Sequence, residues 1–96
     1  MREFTVENRT GLDNMIGQEA WFDAIVGEDR GYDQSIGMYR YILHDVHHGD
    51  SIVADHVTVW CPEEFYVGDD IDVYAEVQTY DGGRSRLQVM EAYIAA

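Results

Sequence analysis

The sequence predicts an all-β domain, built as a five-stranded antiparallel barrel with a short N-terminal helical or extended segment. Apolar and polar residues alternate through five segments with a period of two, the pattern of strands that bury one face. The PEEFYVGDD connection (62–70) is too short to hold the crossover helix of a parallel βαβ unit. Closing the five strands into a barrel would also remove their exposed edges.

The chain divides into an N-terminal segment, residues 1–17, and a single barrel domain, residues 18–96. GLDNMIG (11–17) is expected to form one or two helical turns that end at a glycine. The first strand, QEAWFDAIV (18–26), places small residues and one phenylalanine on its inner face. The glycine-rich stretch GEDRGYDQSIG (27–37) that follows is predicted to be a long, mobile surface loop.

Four further strands complete the barrel: MYRYILHDV (38–46), IVADHVTVWC (52–61), IDVYAEV (71–77) and SRLQVMEAYIA (85–95). Pro62 ends the third strand because proline has no N–H to donate to a ladder. The last strand is expected to contain a bulge that shifts its inward phase toward Ala92 and Ile94. The inward residues of the other strands are predicted to be Ala20, Phe22, Ala24, Val26, Tyr39, Tyr41, Leu43, Val53, Val57, Val59, Ile71, Val73, Ala75 and Val77.

The charge balance is extreme, with nineteen acidic residues against six basic ones and a net charge of −13. All six basic residues are arginine. At molar salt the Debye length is about 3 Å, so self-repulsion of this size is screened. This composition is typical of a protein from an extreme halophile. An acidic protein that binds basic partners, such as a DNA mimic, is the alternative, but a mimic has no reason to exclude lysine.

Little in the sequence indicates catalysis or a cofactor. Cys61 is the sole cysteine and has no partner for a disulfide, and no apolar signal peptide or membrane span is present, so a cytoplasmic protein is expected. The HDVHHGD cluster (44–50) matches no zinc spacing with cysteine partners. We therefore predict a protein that is not an enzyme and has no metal site and no cofactor.

The order of these signals resembles that of the OB-fold family, particularly small prokaryotic and phage OB-type proteins, over about residues 17–94. The residues that carry the resemblance are a glycine before the first strand in GQEAWFDAIV, the YILHD second strand, the ADHVTVW third strand and the VGDDIDVYAEV fourth strand. OB barrels usually bind ligands on the outer face of strands two and three, flanked by the loops that follow strands one and four.

The resemblance thus implies a single-stranded nucleic-acid site, DNA or RNA, on this face, where aromatic and arginine side chains suit stacking on unpaired bases. Its predicted members are Arg40, His44, His56, Trp60, Tyr80, Arg84 and Arg86, with Arg30 and Tyr32 nearby on the long loop.

Two other functions remain open at this stage. Trp60 would equally suit an interface with another protein or with a second copy of the chain, giving a monomer or weak homodimer. The VGDDIDVYAEV strand also resembles part of a hot-dog thioesterase, although no stretch between Gly27 and Asp55 provides that fold's central helix. The outward acids Asp23, Asp72 and Glu76 are expected to form a solvated halophilic face.

Overall fold

The computed structural model describes residues 10–80 and 84–95. Five strands form a closed barrel in the order β1-β2-β3-β5-β4, and β4 pairs back with β1. The predicted all-β, five-stranded, OB-like barrel is confirmed. The elements are α1 Thr10–Asp13, β1 Glu19–Asp33, β2 Met38–His48, β3 Ser51–Cys61, β4 Asp70–Tyr80 and β5 Arg84–Ile94.

The barrel closes through one parallel strand pair, in contrast to the all-antiparallel barrel expected from the sequence. The pairs β1/β2, β1/β4, β2/β3 and β4/β5 are antiparallel, whereas β3 and β5 run parallel. A parallel pair needs a crossover of a dozen or more residues, and here β4 with its flanking turns supplies it. The short connection between β3 and β4 therefore rules out parallel pairing of those two strands only, and it does not restrict how β3 pairs with β5.

The expected loop at 27–37 is mostly strand, and this prediction is wrong. β1 continues to Asp33 and leaves a turn at 34–37 before β2. Register shifts in the β1/β2 ladder place Gly27 and Arg30 as extra residues on β1, so the strand bends around the barrel without ending. Gly31 follows with a φ of 94°, a conformation that glycine adopts without strain. The glycines thus mark bulges in a long, curved strand.

The core is apolar and follows the predicted alternation closely. Every predicted inward residue of β4 is fully buried, and the inward residues of β1 line the same core. Leu12 of α1 is also buried and joins the core from the N-terminal side. The bulge expected in β5 is present opposite Tyr74 and Ala75, and it buries Ala92, whereas Ile94 is exposed, against expectation.

One buried tyrosine holds the middle of the connection between β3 and β4. The Tyr41 hydroxyl accepts a hydrogen bond from the Phe65 N–H at 2.8 Å and donates one to the Phe65 carbonyl, with an oxygen–oxygen distance of 3.2 Å. Phe65 itself is buried. Val67, two residues further along the connection, lies exposed on the surface. Tyr41 therefore satisfies two backbone groups in the middle of the connection, while the Gly68 N–H and the Asp69 carbonyl near its end are paired with the Val26 backbone of β1.

Candidate nucleic-acid interface

Two arginine side chains lie close to the Trp60 ring on the outer face of the barrel. Arg40 on β2 is its cross-strand partner, and the Arg40 Cζ atom is 5.1 Å from the centre of the indole ring. Arg86 on β5 reaches the same ring at 5.6 Å, because the parallel β3/β5 register sets it beside Thr58. Both distances lie within the range of cation–π attraction. Three residues that the sequence assigned to one face are thus brought together by three different strands.

Two polar atoms of this cluster are shielded from solvent without a hydrogen bond. The Arg40 Nε and the Trp60 Nε1 have no hydrogen-bond partner among the described residues. A buried donor left unpaired costs about 1–3 kcal/mol. Arg86 is held differently, since its Nε donates to the Gln78 Oε1 at 3.3 Å. The cluster therefore contains two N–H donors, Arg40 Nε and Trp60 Nε1, that no acceptor among the described residues satisfies.

A groove of about 380 Å³ runs beside the Trp60 ring. Its walls come from the β1–β2 turn, the start of β2, the end of β3 and β5, and its mixed lining consists of Asp33, Ile36, Met38, Trp60, Arg86 and Gln88. The Gln88 Nε2 donates to the Met38 Sδ at 3.1 Å across the groove. Four of these residues, Asp33, Ile36, Met38 and Gln88, were absent from the predicted site, because their placement depends on the bulges and on barrel closure.

The groove carries one negatively charged group at its edge. The Asp33 Oδ1 accepts hydrogen bonds from the Ser35 hydroxyl at 2.6 Å and the Ser35 N–H at 3.0 Å. These bonds lower the pKa of Asp33, with a smaller contribution from the positive charge of Arg40. Asp33 is therefore ionised at neutral pH. The groove lining thus combines a carboxylate acceptor, Asp33, with one guanidinium donor, Arg86.

The two predicted histidines lie elsewhere on the same face. His44 and His56 are direct cross-strand partners on β2 and β3, with ring centres 6.4 Å apart. The His44 ring also covers Gly27, where any Cβ atom would overlap it. The pair is separated from Trp60 by Ile42 and Thr58, which form the intervening register position. His44 and His56 therefore lie further along the same face, two outward register positions from Arg40 and Trp60.

The remaining predicted residues fall outside this cluster or outside the described structure. The side chains of Tyr80 and Arg84 are not among the described parts of the chain, although both residues begin or end a strand at the β4–β5 turn. Arg30 forms an exposed ion pair with Glu28 at 3.3 Å. Tyr32 packs against Tyr39 with ring centres 4.8 Å apart. Neither Arg30 nor Tyr32 lines the groove.

The histidine-rich stretch does not converge on a single point. The His47 Nδ1 lies 2.8 Å from the Asp45 carbonyl, and the His48 Nδ1 lies 3.2 Å from the Trp21 carbonyl. Within residues 10–80 and 84–95, no group of three or more histidine, cysteine or acidic side chains is arranged to hold a metal ion. The Nδ1 atoms of these two imidazoles thus contact backbone carbonyls near the strand ends.

Cys61 is buried in the core, and its thiol is expected to be unreactive in the folded protein. Burial raises the pKa of the thiol from about 9.0 to about 11. Since the thiolate is the nucleophile, this shift alone lowers the reactive fraction at pH 8 about a hundredfold. Iodoacetamide labelling at pH 8, followed by mass spectrometry, should therefore be at least about a hundredfold slower for folded than for urea-unfolded protein. Equal rates in the two states would contradict the buried placement of Cys61.

The protein is an OB-like barrel whose outer face carries a tryptophan with two arginines close to its ring. No protein-family model matches the chain, and neither the curated proteins nor the solved structures contain a significant match. Among the described residues, no helix is both long enough and apolar enough to cross a membrane. Any statement about ligands therefore rests on the residues themselves.

Proposed function

We propose that this chain is a salt-adapted member of the OB-fold family that binds single-stranded nucleic acid through Arg40, Trp60 and Arg86. The observation that supports this most directly is the Trp60 ring flanked by two guanidinium groups beside an open groove. In OB barrels this is the usual ligand face, at strands two and three next to the loop after strand one.

The groups on this face suit the two parts of a nucleotide. An unpaired base would stack against Trp60, a contact worth about 1–3 kcal/mol per base. The guanidinium groups of Arg40 and Arg86 would pair with phosphate oxygens, which they can approach in a bidentate manner. The ionised Asp33 carboxylate and the Gln88 amide would face the hydrogen-bonding edge of the base.

The net charge of −13 opposes binding of a polyanion at low ionic strength. In molar KCl the Debye length is about 3 Å, so only charged groups in direct contact interact appreciably. The counterion-release contribution also decreases with salt, so stacking and short-range arginine contacts dominate the affinity. The proposal therefore places the binding in a high-salt cytoplasm, and it predicts a weaker salt dependence than that of a basic OB-fold protein.

Tryptophan fluorescence tests the proposal once the two tryptophans are separated. In a Trp21→Phe variant, Trp60 is the only tryptophan, and with selective tryptophan excitation a 12-nucleotide single strand in 2 M KCl should quench its emission in a saturable manner. The matched Trp60→Phe variant reports Trp21 and should not change. Absence of quenching in the Trp21→Phe protein between 0.2 and 2 M KCl would contradict the proposal. Quenching by protein concentration alone would instead indicate that Trp60 lies in a homodimer interface.

A further inference from the structure

A second exposed aromatic surface lies on β1, β4 and β5, away from the Trp60 groove. The Trp21 ring is 5.4 Å from the Tyr74 ring and 6.1 Å from the Tyr93 ring, measured between ring centres. Trp21 is 47 % exposed and Tyr93 is 56 % exposed, so two of the three rings of this aromatic triad present broad faces to solvent. Exposed, contiguous aromatic groups of this kind mark interaction surfaces.

Carboxylates alternate with the rings across the same three strands. Glu19 pairs with Glu76, Trp21 pairs with Tyr74, and Asp23 pairs with Asp72 across β1 and β4. On β5, Glu91 pairs with Tyr74, and Tyr93 pairs with Asp72. Among the described residues, these register rows contain no arginine; the bases beside them are His47, the β2 partner of Asp23, and His48, whose Nδ1 lies 3.2 Å from the Trp21 carbonyl. The aromatic triad is thus set in a field of five carboxylates: Glu19, Asp23, Asp72, Glu76 and Glu91.

Each of the two tyrosines in the aromatic triad donates a hydrogen bond to one of these carboxylates. The Tyr74 hydroxyl donates to the Glu19 Oε1 at 3.0 Å, and the Tyr93 hydroxyl donates to the Glu91 Oε1 at 3.0 Å. Both contacts raise the pKa of the tyrosine that donates. A hydrogen bond with Asp70 raises the pKa of Asp23, with further contributions from burial and from the charges of Asp70 and Asp72. The negative potential on this face is therefore incompletely compensated within the chain.

We propose that the aromatic triad and its five carboxylates form a docking surface for an arginine-bearing segment of a basic protein partner. Guanidinium groups stack on aromatic faces and pair with carboxylates in a planar fork, and this surface presents both groups side by side. Arginine is also more weakly hydrated than lysine, so these contacts persist where salt screens general attraction. The inference is independent of nucleic-acid binding at Trp60.

Salt adaptation alone does not account for the composition of this surface. A solvated acidic face needs carboxylates, but it gains nothing from three neighbouring aromatic rings, two of them about half exposed. The rings add a preference for a flat cation that also contacts apolar surface. The surface should therefore discriminate arginine from lysine at equal charge, which a purely acidic face would not do.

Titration with capped tetra-arginine, tetra-lysine and tetra-citrulline peptides tests this proposal by NMR on the isotopically labelled full chain in 0.2 and 2 M KCl. The Trp21 indole N–H signal should shift with tetra-arginine at both salt concentrations, while the Trp60 indole signal stays in place. Tetra-lysine should bind more weakly by about two- to fivefold, the range for an exposed cation–π contact. Tetra-citrulline, which is uncharged, should not bind.

Three variants distinguish tetra-arginine binding at the docking surface from general attraction to an acidic protein. The Trp21→Leu variant keeps an apolar side chain and should weaken tetra-arginine binding about two- to fivefold. The double variant Glu19→Gln with Glu91→Gln keeps hydrogen-bond acceptors for the two tyrosines and should weaken it about fivefold. The matched control, Asp50→Asn with Glu64→Gln, removes the same charge from exposed positions elsewhere and should change binding less than about twofold.

Three results would overturn the proposal. The first is equal weakening by the matched control and by the Glu19/Glu91 double variant, which would indicate general charge attraction. The second is a tetra-arginine complex that leaves the Trp21 signal unmoved. The third is a homodimer, detected by sedimentation equilibrium and dissociated by Trp21→Leu, which would identify a second copy of the chain as the occupant. Circular dichroism of each variant establishes that the barrel is retained.

Discussion

Replacing Trp60 with leucine should weaken the binding of a single-stranded 12-nucleotide oligomer about 5- to 150-fold. This range corresponds to the loss of one stacked base, about 1–3 kcal/mol. Leucine preserves apolar volume at the end of β3, so the loss reports the indole ring and its two guanidinium neighbours. Fluorescence anisotropy of a labelled oligonucleotide in 2 M KCl measures the effect directly.

The chain contains its own control for this experiment. Trp21 is exposed on the barrel, whereas Trp60 is half-buried, and Trp21 belongs to the β1/β4 surface, where it pairs with Tyr74. Trp21→Leu should therefore change oligonucleotide affinity less than about twofold. A comparable loss in both variants, or none in Trp60→Leu, would contradict the assignment of the site to the Trp60 face.

Removing the Tyr41 hydroxyl should destabilise the folded barrel. Tyr41→Phe should lower the free energy of unfolding by about 1–3 kcal/mol, because the Phe65 N–H and carbonyl would both lose their partner in a buried setting. Urea unfolding followed by circular dichroism in 2 M KCl gives this difference from the shift in midpoint, provided that the denaturant dependence is unchanged.

Tyr39→Phe is the matched control for the Tyr41 substitution. Its ring lies 6.3 Å from the Tyr41 ring between centres, and within the described residues the structure gives its hydroxyl no hydrogen bond. Removing that oxygen should cost less than about 0.5 kcal/mol, as is usual for substitutions away from buried contacts. Equal destabilisation by the two substitutions would show that Tyr41 does not fix the β3–β4 connection.

The core was predictable from the sequence because burial and alternation coincide in most strands. Ile71, Val73, Ala75 and Val77 alternate without interruption, and all four are fully buried. The course of β1 was not predictable in this way. Its second half contains the glycines and acidic residues of a loop, whereas the structure places Gly27 at a bulge within the ladder. Composition alone does not distinguish a bulged, solvent-facing strand from a loop.

The candidate site was predictable only in part for the same reason. Arg40 and Trp60 were identified because they occupy outward positions of two clear strands, and Arg86 lies beside them through the parallel β3/β5 register. The groove residues Asp33 and Met38 depend on where β1 ends, which the sequence did not indicate. Two members of the aromatic triad could have been anticipated, because the first and fourth predicted strands each have an aromatic residue, Trp21 and Tyr74, at an outward position. These two residues are direct partners in the β1/β4 ladder.

The central claim, that the Trp60 face binds single-stranded nucleic acid, is tested most directly by an NMR chemical-shift map in 2 M KCl with a short single strand. We expect the Trp60 indole N–H, the Arg40 and Arg86 side chains and the backbone of residues 33–38 to shift together and to saturate, while the Trp21 indole stays unchanged. A map with no saturable shifts, or with shifts confined to the Trp21 surface, would contradict the claim.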